Sequence, residues 1–159
     1  MESQPPTATI LVVDDIASNR ALLQAALEDA GHRVLEAAGG AEALVMFERE
    51  LPDCVLLDVR MPGLDGFEVC TRMRALPGGA EVPILFVTAL RDIDTFDHAI
   101  LAGGFDFLTK PVRPPELLAR VRAALELRRT SAERDELIAL LRHQRDDLTR
   151  AVLVNERLA

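Results

Sequence analysis

The sequence predicts an α/β fold, a doubly wound, five-stranded parallel sheet followed by an extended C-terminal helix. Short apolar runs alternate along the chain with amphipathic segments. Five such pairs follow one another in units of about 20–25 residues, a pattern typical of βα repeats. The second observation is that residues 116–159 contain no glycine and no proline. A stretch without these residues is typical of one long helix.

Five short runs rich in aliphatic and aromatic residues are the predicted strands. In chain order they span residues 10–13, 33–37, 54–57, 84–87 and 105–108. Most of them are nearly continuous apolar runs, as expected for strands of a parallel sheet that is covered on both faces. Pro52 and Pro83 stand just before the third and fourth runs and indicate where these strands begin.

The first two helices are predicted from apolar residues at helical spacing. Residues 17–30 carry apolar residues at helical spacing, a stripe formed by Leu22, Leu23, Ala26 and Leu27. Gly31 follows as the expected stop of this helix. Residues 40–50 form the second predicted helix, whose inward-facing side chains are Ala43, Leu44 and Phe47.

The third and fourth helices are predicted from their boundary residues. Asp65-Gly66 opens the third helix, which continues through Met73. Asp92 or Asp94 is the expected N-cap of the fourth helix, because a carboxylate oxygen there accepts hydrogen bonds from otherwise unpaired backbone N–H groups.

The last predicted helix begins at Pro115, where a missing N–H costs nothing, and continues to the end of the chain. Apolar residues at 4-7-4 spacing form a seam typical of a coiled coil: Leu137, Leu141, Leu148 and Val152. Gln144 and Arg145 interrupt this seam. We expect a marginal parallel homodimer through the helix, and the alternative is a single amphipathic helix that folds back on the domain.

Three segments follow from these patterns. Residues 1–9 are predicted to be a disordered tail, residues 10–128 the α/β domain, and residues 129–159 a helical extension that forms a coiled coil. The first nine residues have neither a basic region nor a long apolar stretch, so we do not expect a signal peptide.

Composition excludes several classes of function. Hydrophobic residues make up 49% of the chain, enough for a substantial core, and the net charge of −8 argues against nucleic-acid binding. No apolar run approaches the length of a membrane span. Cys54 and Cys70 lack metal-ligand spacing and are expected to be reduced thiols of a cytoplasmic protein.

Polar side chains stand at the ends of four predicted strands. Asp14 and Asp15 follow the first strand, Asp58 the third and Thr88 the fourth, while Lys110, the only lysine in the chain, follows the fifth. Open α/β sheets bind ligands at the carboxyl ends of their strands. Carboxylates, a hydroxyl and an ammonium at one edge predict a site for a divalent cation and a phosphoryl group.

These residues and their neighbours resemble the receiver domain of bacterial two-component response regulators over residues 9–128. The motifs that carry the resemblance are Asp14-Asp15, Asp58, Met61-Pro62-Gly63-Leu64-Asp65-Gly66, Thr88-Ala89 and Lys110-Pro111. The resemblance implies a flavodoxin-like sheet of strand order 2-1-3-4-5 and a phosphorylatable switch. It also implies a histidine kinase or phosphotransfer protein as the phosphodonor partner.

Chemistry and resemblance agree on the nucleophile, Asp58, because a carboxylate that attacks phosphorus forms an acyl phosphate. Lys110 suits a phosphoryl oxygen as a compact point charge. The resemblance implies that Thr88 donates to another phosphoryl oxygen and that Phe107 then turns inward. It also implies a tight turn after the fifth strand, and we expect a cis peptide between Lys110 and Pro111.

A magnesium ion is the expected cofactor, because an anionic nucleophile meets an anionic phosphoryl group and the repulsion must be neutralised. Asp15 and Asp58 are the expected direct ligands, and Asp14 is expected to act through water. The resemblance adds the backbone carbonyl of Arg60 to this set.

Other functions were weighed against the switch. A phosphatase of the haloacid-dehalogenase type needs a second aspartate two residues after the nucleophile, where this chain has Arg60. A constitutive dimerisation or adaptor module is the alternative that only phosphorylation data exclude. The chain is not expected to be an enzyme beyond its own phosphoryl transfer and hydrolysis. It would also suit the N-terminal regulatory part of a larger sensor kinase or other output enzyme.

Overall fold

The computed structural model describes residues 7–89 and 93–158, and at its centre lies the predicted five-stranded sheet. The strands are β1 (Thr9–Val13), β2 (Arg33–Ala37), β3 (Cys54–Asp58), β4 (Ile84–Thr88) and β5 (Asp106–Thr109). They lie in the order β2-β1-β3-β4-β5, and every neighbouring pair is parallel. The predicted fold class and strand order are confirmed.

Helices cover both faces of the sheet. They are α1 (Ala17–Asp29), α2 (Gly40–Glu50), α3 (Gly66–Ala75), α4 (Ile93–Leu101) and α5 (Pro114–Leu158). Alternate residues of each strand point to opposite faces, so two separate clusters of buried side chains form. One cluster joins the sheet to α1 and to the first turns of α5, and the other joins it to α2, α3 and α4.

The predicted ends of the elements agree with the observed ends to within one or two residues. α1 stops before Gly31, which has a φ of +93° and donates its N–H to the carbonyl of Glu28 at 2.9 Å. Glycine adopts this left-handed conformation without a steric penalty. Before α3, the side chain of Asp65 accepts a hydrogen bond from the backbone N–H of Glu68 at 2.9 Å.

Three predicted element ends differ from the structure or lie outside its described residues. The side chains of Asp92 and Asp94, the predicted caps of α4, lie outside the described residues. Residues 1–6 of the predicted tail also lie outside them, whereas Thr9 already belongs to β1, so the strand begins one residue earlier than predicted. α5 begins at Pro114, one residue before the predicted start.

Leu22 belongs to the predicted apolar stripe of α1 but is not buried with the rest of it. Leu22 is 64% exposed, whereas Leu23 and Leu27 are buried. Successive helical residues point about 100° apart, so a helix that packs through Leu23 and Leu27 turns Leu22 toward its side. The spacing of the apolar residues predicted the helix correctly, but the predicted stripe includes one residue, Leu22, that is not buried.

The helix α5 runs without interruption from Pro114 to Leu158, which confirms the predicted long helix within the described residues. Contacts nevertheless divide the chain into two compact units, one ending at Leu125 and the next beginning at Glu126. Among its described side chains, the second unit exposes Leu127, Leu137, Leu140, Leu141, Leu148, Val152, Leu153 and Val154. The predicted boundary at residues 128–129 stays a prediction.

A guanidinium group joins α3 to two loops beside the sheet. Arg74 donates from Nε and Nη2 to the carbonyl of Gly103, at 3.0 and 2.6 Å, and from Nη1 to that of Gly79 at 2.8 Å and to that of Val82. Burial lowers the pKa of Arg74. Position 79 accommodates only glycine, because the Cβ atom of any other residue would lie 1.8 Å from the carbonyl oxygen of Met73. Arg74 therefore satisfies carbonyls on both sides of β4.

We expect Arg74→Met to lower the free energy of unfolding by about 2–3 kcal/mol, because partly buried carbonyls lose a charged donor. The matched control is Arg72→Met on the same helix. Arg72 is 54% exposed and pairs with Glu68, so its loss should cost less than about 1 kcal/mol. Urea unfolding of both variants measures the difference, and equal effects would show that the carbonyl contacts contribute little.

Candidate functional site

Three carboxylates meet at the carboxyl edge of the sheet. Asp14 follows β1 and is almost fully buried, Asp58 ends β3 and is also buried, and Asp15 is exposed. Each offers an oxygen, and these oxygens all lie within 4.8 Å of one another. β1 and β3 are adjacent and parallel, so their carboxyl ends necessarily fall side by side, as the sequence predicted.

Lys110 reaches these carboxylates from the end of β5. Its Nζ lies 3.2 Å from Oδ2 of Asp14 and 3.4 Å from Oδ2 of Asp58. The backbone N–H of Lys110 donates to the carbonyl of Thr88 at 2.8 Å. The predicted cis peptide between Lys110 and Pro111 is confirmed. The only lysine of the chain thus lies between two of the three acidic groups.

Asp14 is held by several neighbours in addition to Lys110. Its Oδ1 accepts a hydrogen bond from the backbone N–H of Ile16 at 2.9 Å. Its own backbone N–H donates to the carbonyl of Ala37 at 3.2 Å, and its carbonyl accepts from Nη1 of Arg20 at 2.7 Å. The sequence analysis did not include Arg20 in the site. No motif indicated it, since its contact depends on where α1 begins relative to β1.

The electrostatic environment of Asp58 opposes ionisation. Burial raises the pKa of the Asp58 carboxyl, Lys110 lowers it and Asp14 raises it again. Burial is the largest of these effects, and a backbone hydrogen bond from Arg60 partly offsets it. A carboxylate kept ionised in such a place at neutral pH is held at a cost in stability.

We expect Asp58→Asn to stabilise the metal-free protein at neutral pH. The pKa of Asp58 is higher in the folded chain than its ordinary value of 3.8, so folding favours the protonated form. The parent therefore loses stability as the pH rises from the ordinary pKa of the carboxyl to its raised pKa in the folded chain. The asparagine variant has no carboxyl at this position, so its stability does not fall for this reason. Thermal unfolding from about pH 4 to about pH 7 should show an advantage of the variant that grows with pH. A shrinking advantage would contradict the assignment.

The other predicted site residues lie at or near the same edge. Thr88 ends β4 and is buried. Phe107 of β5 is half-buried, lies opposite Phe86 in the sheet and packs against the core cluster that includes α3. Arg60, two residues after Asp58, has an exposed side chain. The predicted residues thus gather at one edge of the sheet, with Phe107 set back from it.

A groove of about 450 Å³ opens beside Asp14, one of the three acidic residues. Its walls come from α1, from β4 and from the start of α5. Most of the lining is apolar, and its polar residues are Asp14, Asn19 and Lys110. The apolar lining residues are Leu22, Leu23, Ala26, Val87, Pro111, Val112, Pro114 and Leu117. The exposed Leu22 of the predicted apolar stripe is thus one of the residues that line this groove.

Comparison with known proteins agrees with this geometry. The response regulator receiver domain family matches residues 10–122. The chain is 40% identical to the response regulator PleD of Caulobacter vibrioides, over 96% of this chain and 36% of PleD. It is 43% identical to the probable transcriptional regulator ycf27 of Guillardia theta, over 77% of this chain and 46% of that protein.

Solved structures show the same similarity. The crystal structure of a putative response regulator from Chloroflexus aurantiacus has a TM-score of 0.73 at 40% identity, covering 76% of this chain and 99% of the other. The chemotaxis protein CheY4 of Vibrio cholerae also has a TM-score of 0.73, at 32% identity and 76% of this chain.

A parallel α/β sheet with acidic groups and a lysine at its carboxyl edge defines a receiver domain. The chain belongs to the response regulator receiver domain family, and it is a phosphorylatable switch of two-component signalling. It spans 36% and 46% of the lengths of PleD and ycf27. Within the described residues, no helix is both long and apolar enough to cross a membrane.

Proposed function

We propose that Asp58 accepts a phosphoryl group from a phosphohistidine of a histidine kinase or phosphotransfer protein. The observation that carries this proposal is the position of the buried Asp58 carboxylate, 3.4 Å from the ammonium of Lys110 and beside Asp14 and Asp15. An oxygen of Asp58 attacks phosphorus, the O–P bond forms and the P–N bond to histidine breaks. The imidazole keeps the electron pair of that bond and takes up a proton. Water later attacks the phosphorus of the acyl phosphate, the O–P bond to Asp58 breaks, and inorganic phosphate leaves the restored carboxylate.

The carboxylates fit a magnesium ion, because three oxygens within 4.8 Å of one another form the all-oxygen donor set that this ion prefers. Asp15, Asp58 and the backbone carbonyl of Arg60 would hold it, with Asp14 acting through water. When bound, the ion neutralises negative charge on the nucleophile and on the phosphoryl group. Lys110 places a second cation on a phosphoryl oxygen, and it needs no large movement because it already lies beside Asp58.

Thr88 and Phe107 are the proposed switch residues. The hydroxyl of Thr88 donates to the third phosphoryl oxygen and moves inward, and Phe107 then turns inward as well. The hydrogen bond from the backbone N–H of Lys110 to the carbonyl of Thr88 supports this coupling, since it joins the end of β4 to the residue that follows β5. The surface formed by α4, β5 and the first turns of α5 changes as a result, which is how a local change of charge biases a two-state element.

The test of this function is covalent labelling of the whole chain by acetyl phosphate. We expect the intact mass to increase by one phosphoryl group when Mg²⁺ is present and to stay unchanged when a chelator removes it. Equal labelling with and without the metal would remove magnesium from the proposal. No labelling in either condition would favour the constitutive adaptor alternative.

We propose that the protein phosphodonor contacts the apolar groove beside Asp14 and Lys110. Leu22→Asp should then slow phosphotransfer from a cognate phosphohistidine protein about tenfold or more, because a buried leucine is worth roughly 1.5–3 kcal/mol. Acetyl phosphate is too small to use the groove and should react with the variant at the parent rate. Val45→Asp is the matched control, since Val45 is 62% exposed on α2. Equal losses with both donors would contradict this docking surface.

Further parts of the proposal concern the whole protein. We propose that the chain acts in the cytoplasm, binds neither nucleic acid nor membrane, and forms a homodimer through its C-terminal helix. The net charge of −8 supports the exclusion of nucleic acid and of membrane surfaces, because both are commonly anionic. The chain itself is proposed to catalyse only its own phosphoryl transfer and hydrolysis. Its output is passed on through the helix.

A further inference from the structure

Arg20 of α1 has no part in the phosphoryl transfer described above, yet it contacts one of the acidic residues. Its Nη1 donates to the backbone carbonyl of Asp14 at 2.7 Å. Its Nε lies 3.7 Å from Oε1 of Glu36 on β2. The Arg20 side chain is only 18% exposed, so solvent screens these contacts less than those of a surface arginine.

With Arg20 included, the backbone N–H, the carbonyl and both carboxylate oxygens of Asp14 each have a bonding partner. The backbone N–H of Asp14 donates to a carbonyl of β2, and its two carboxylate oxygens are engaged by the N–H of Ile16 and by Lys110. Its carbonyl is held by Arg20. This carbonyl belongs to the peptide group that joins Asp14 to Asp15, so its direction determines where the exposed Asp15 side chain begins.

We propose that Arg20 is a positioning residue for magnesium binding. It holds the Asp14–Asp15 peptide in the orientation that brings both carboxylates toward Asp58, and Glu36 steadies the guanidinium from β2. The inference rests on the proposed metal-assisted phosphorylation and adds a residue that never touches the metal or the phosphoryl group.

Positioning and simple electrostatics predict opposite results when Arg20 is removed. Arg20 is a cation near the site, so by Coulomb's law its loss should tighten the binding of a dication. If Arg20 acts by orientation, its loss should weaken binding instead. Groups that orient metal ligands typically contribute ten- to one-hundredfold in affinity. Arg20 acts on a backbone carbonyl, and we expect the lower end of that range.

The experiment is a Mg²⁺ titration of the whole chain, followed by amide NMR because the sequence contains neither tryptophan nor tyrosine. Arg20→Met should bind Mg²⁺ about tenfold more weakly than the parent. Arg20→Lys retains the charge and should also bind more weakly, since one ammonium replaces a fork that spans two acceptors. The control is Arg33→Met, because Arg33 is 63% exposed and pairs with Glu50, and it should bind like the parent.

A second measurement needs no metal. The amide of Ile16, which donates to Asp14, should exchange with solvent faster in metal-free Arg20→Met than in the parent or in Arg33→Met. If Arg20→Met binds Mg²⁺ as tightly as the parent, or more tightly, the positioning role is overturned while the proposed function stands. If the parent itself does not bind Mg²⁺, the metal site and this inference both fail.

Discussion

We expect Asp58→Asn to take up no phosphoryl group from acetyl phosphate in the presence of Mg²⁺, whereas the parent is labelled. The amide oxygen carries no negative charge and is a far weaker nucleophile than a carboxylate. Asparagine has nearly the shape of aspartate, so the fold should persist, with the gain in stability at neutral pH expected from loss of a buried charge. Intact mass spectrometry measures the result directly.

The control for this prediction is Asp29→Asn at the exposed end of α1, which should be labelled like the parent. Peptide mapping of the parent should place the phosphoryl group in the segment that contains Asp58. Labelling of Asp58→Asn at the parent level would show that another group is the acceptor. A label mapped to Asp14 or Asp15 would exchange the roles of nucleophile and metal ligand.

The second large effect concerns the C-terminal helix. We expect the parent to dimerise at micromolar concentration and Leu141→Asp/Leu148→Asp to be monomeric. These side chains are 55% and 69% exposed in the single chain. Burying a leucine is worth roughly 1.5–3 kcal/mol. A dimer buries these two leucines from each chain, so the double substitution removes four apolar side chains from the seam and places charges there instead.

Light scattering of the whole chain measures this difference. The matched control is Leu153→Asp/Val154→Asp, because both residues are also about half exposed but lie outside the 4-7-4 seam. This control should remain dimeric. Loss of the dimer in both double variants would point to a general effect of charge on the helix. An unchanged mass in all three proteins would show that the seam does not mediate dimerisation.

Part of the site was predictable because parallel strands align their carboxyl ends. Asp14 and Asp58 are far apart in the sequence, yet each ends a recognisable apolar run. Once the runs are assigned to neighbouring parallel strands, the carboxylates must lie together. The same reasoning placed Thr88 and Lys110. These predictions needed only the period of the side chains along the chain and the general topology of α/β sheets.

Other features were not predictable, because they depend on how a helix is rotated and where its start lies against the sheet. Leu22 was assigned to the apolar stripe of α1. The helix packs on the sheet through Leu23 and Leu27 instead, so Leu22 lines a groove. Arg20 contacts the carbonyl of Asp14 only because α1 begins immediately after the loop that follows β1. Arg74 likewise reaches two loops that are distant from it in sequence. Long polar side chains have too many conformers for sequence spacing to indicate their partners.

The sequence by itself determined the alternation of strands and helices, the strand-end acidic residues, the lysine and the long C-terminal helix. Each follows from local periodicity, from the position of a polar residue at the end of an apolar run, or from the lack of glycine and proline in residues 116–159. Only the tertiary structure decided which side chains hold Asp14, how burial opposes the charge of Asp58, and where the apolar groove opens. These properties depend on distances between separate elements, and such distances are set by packing, which local sequence patterns do not encode.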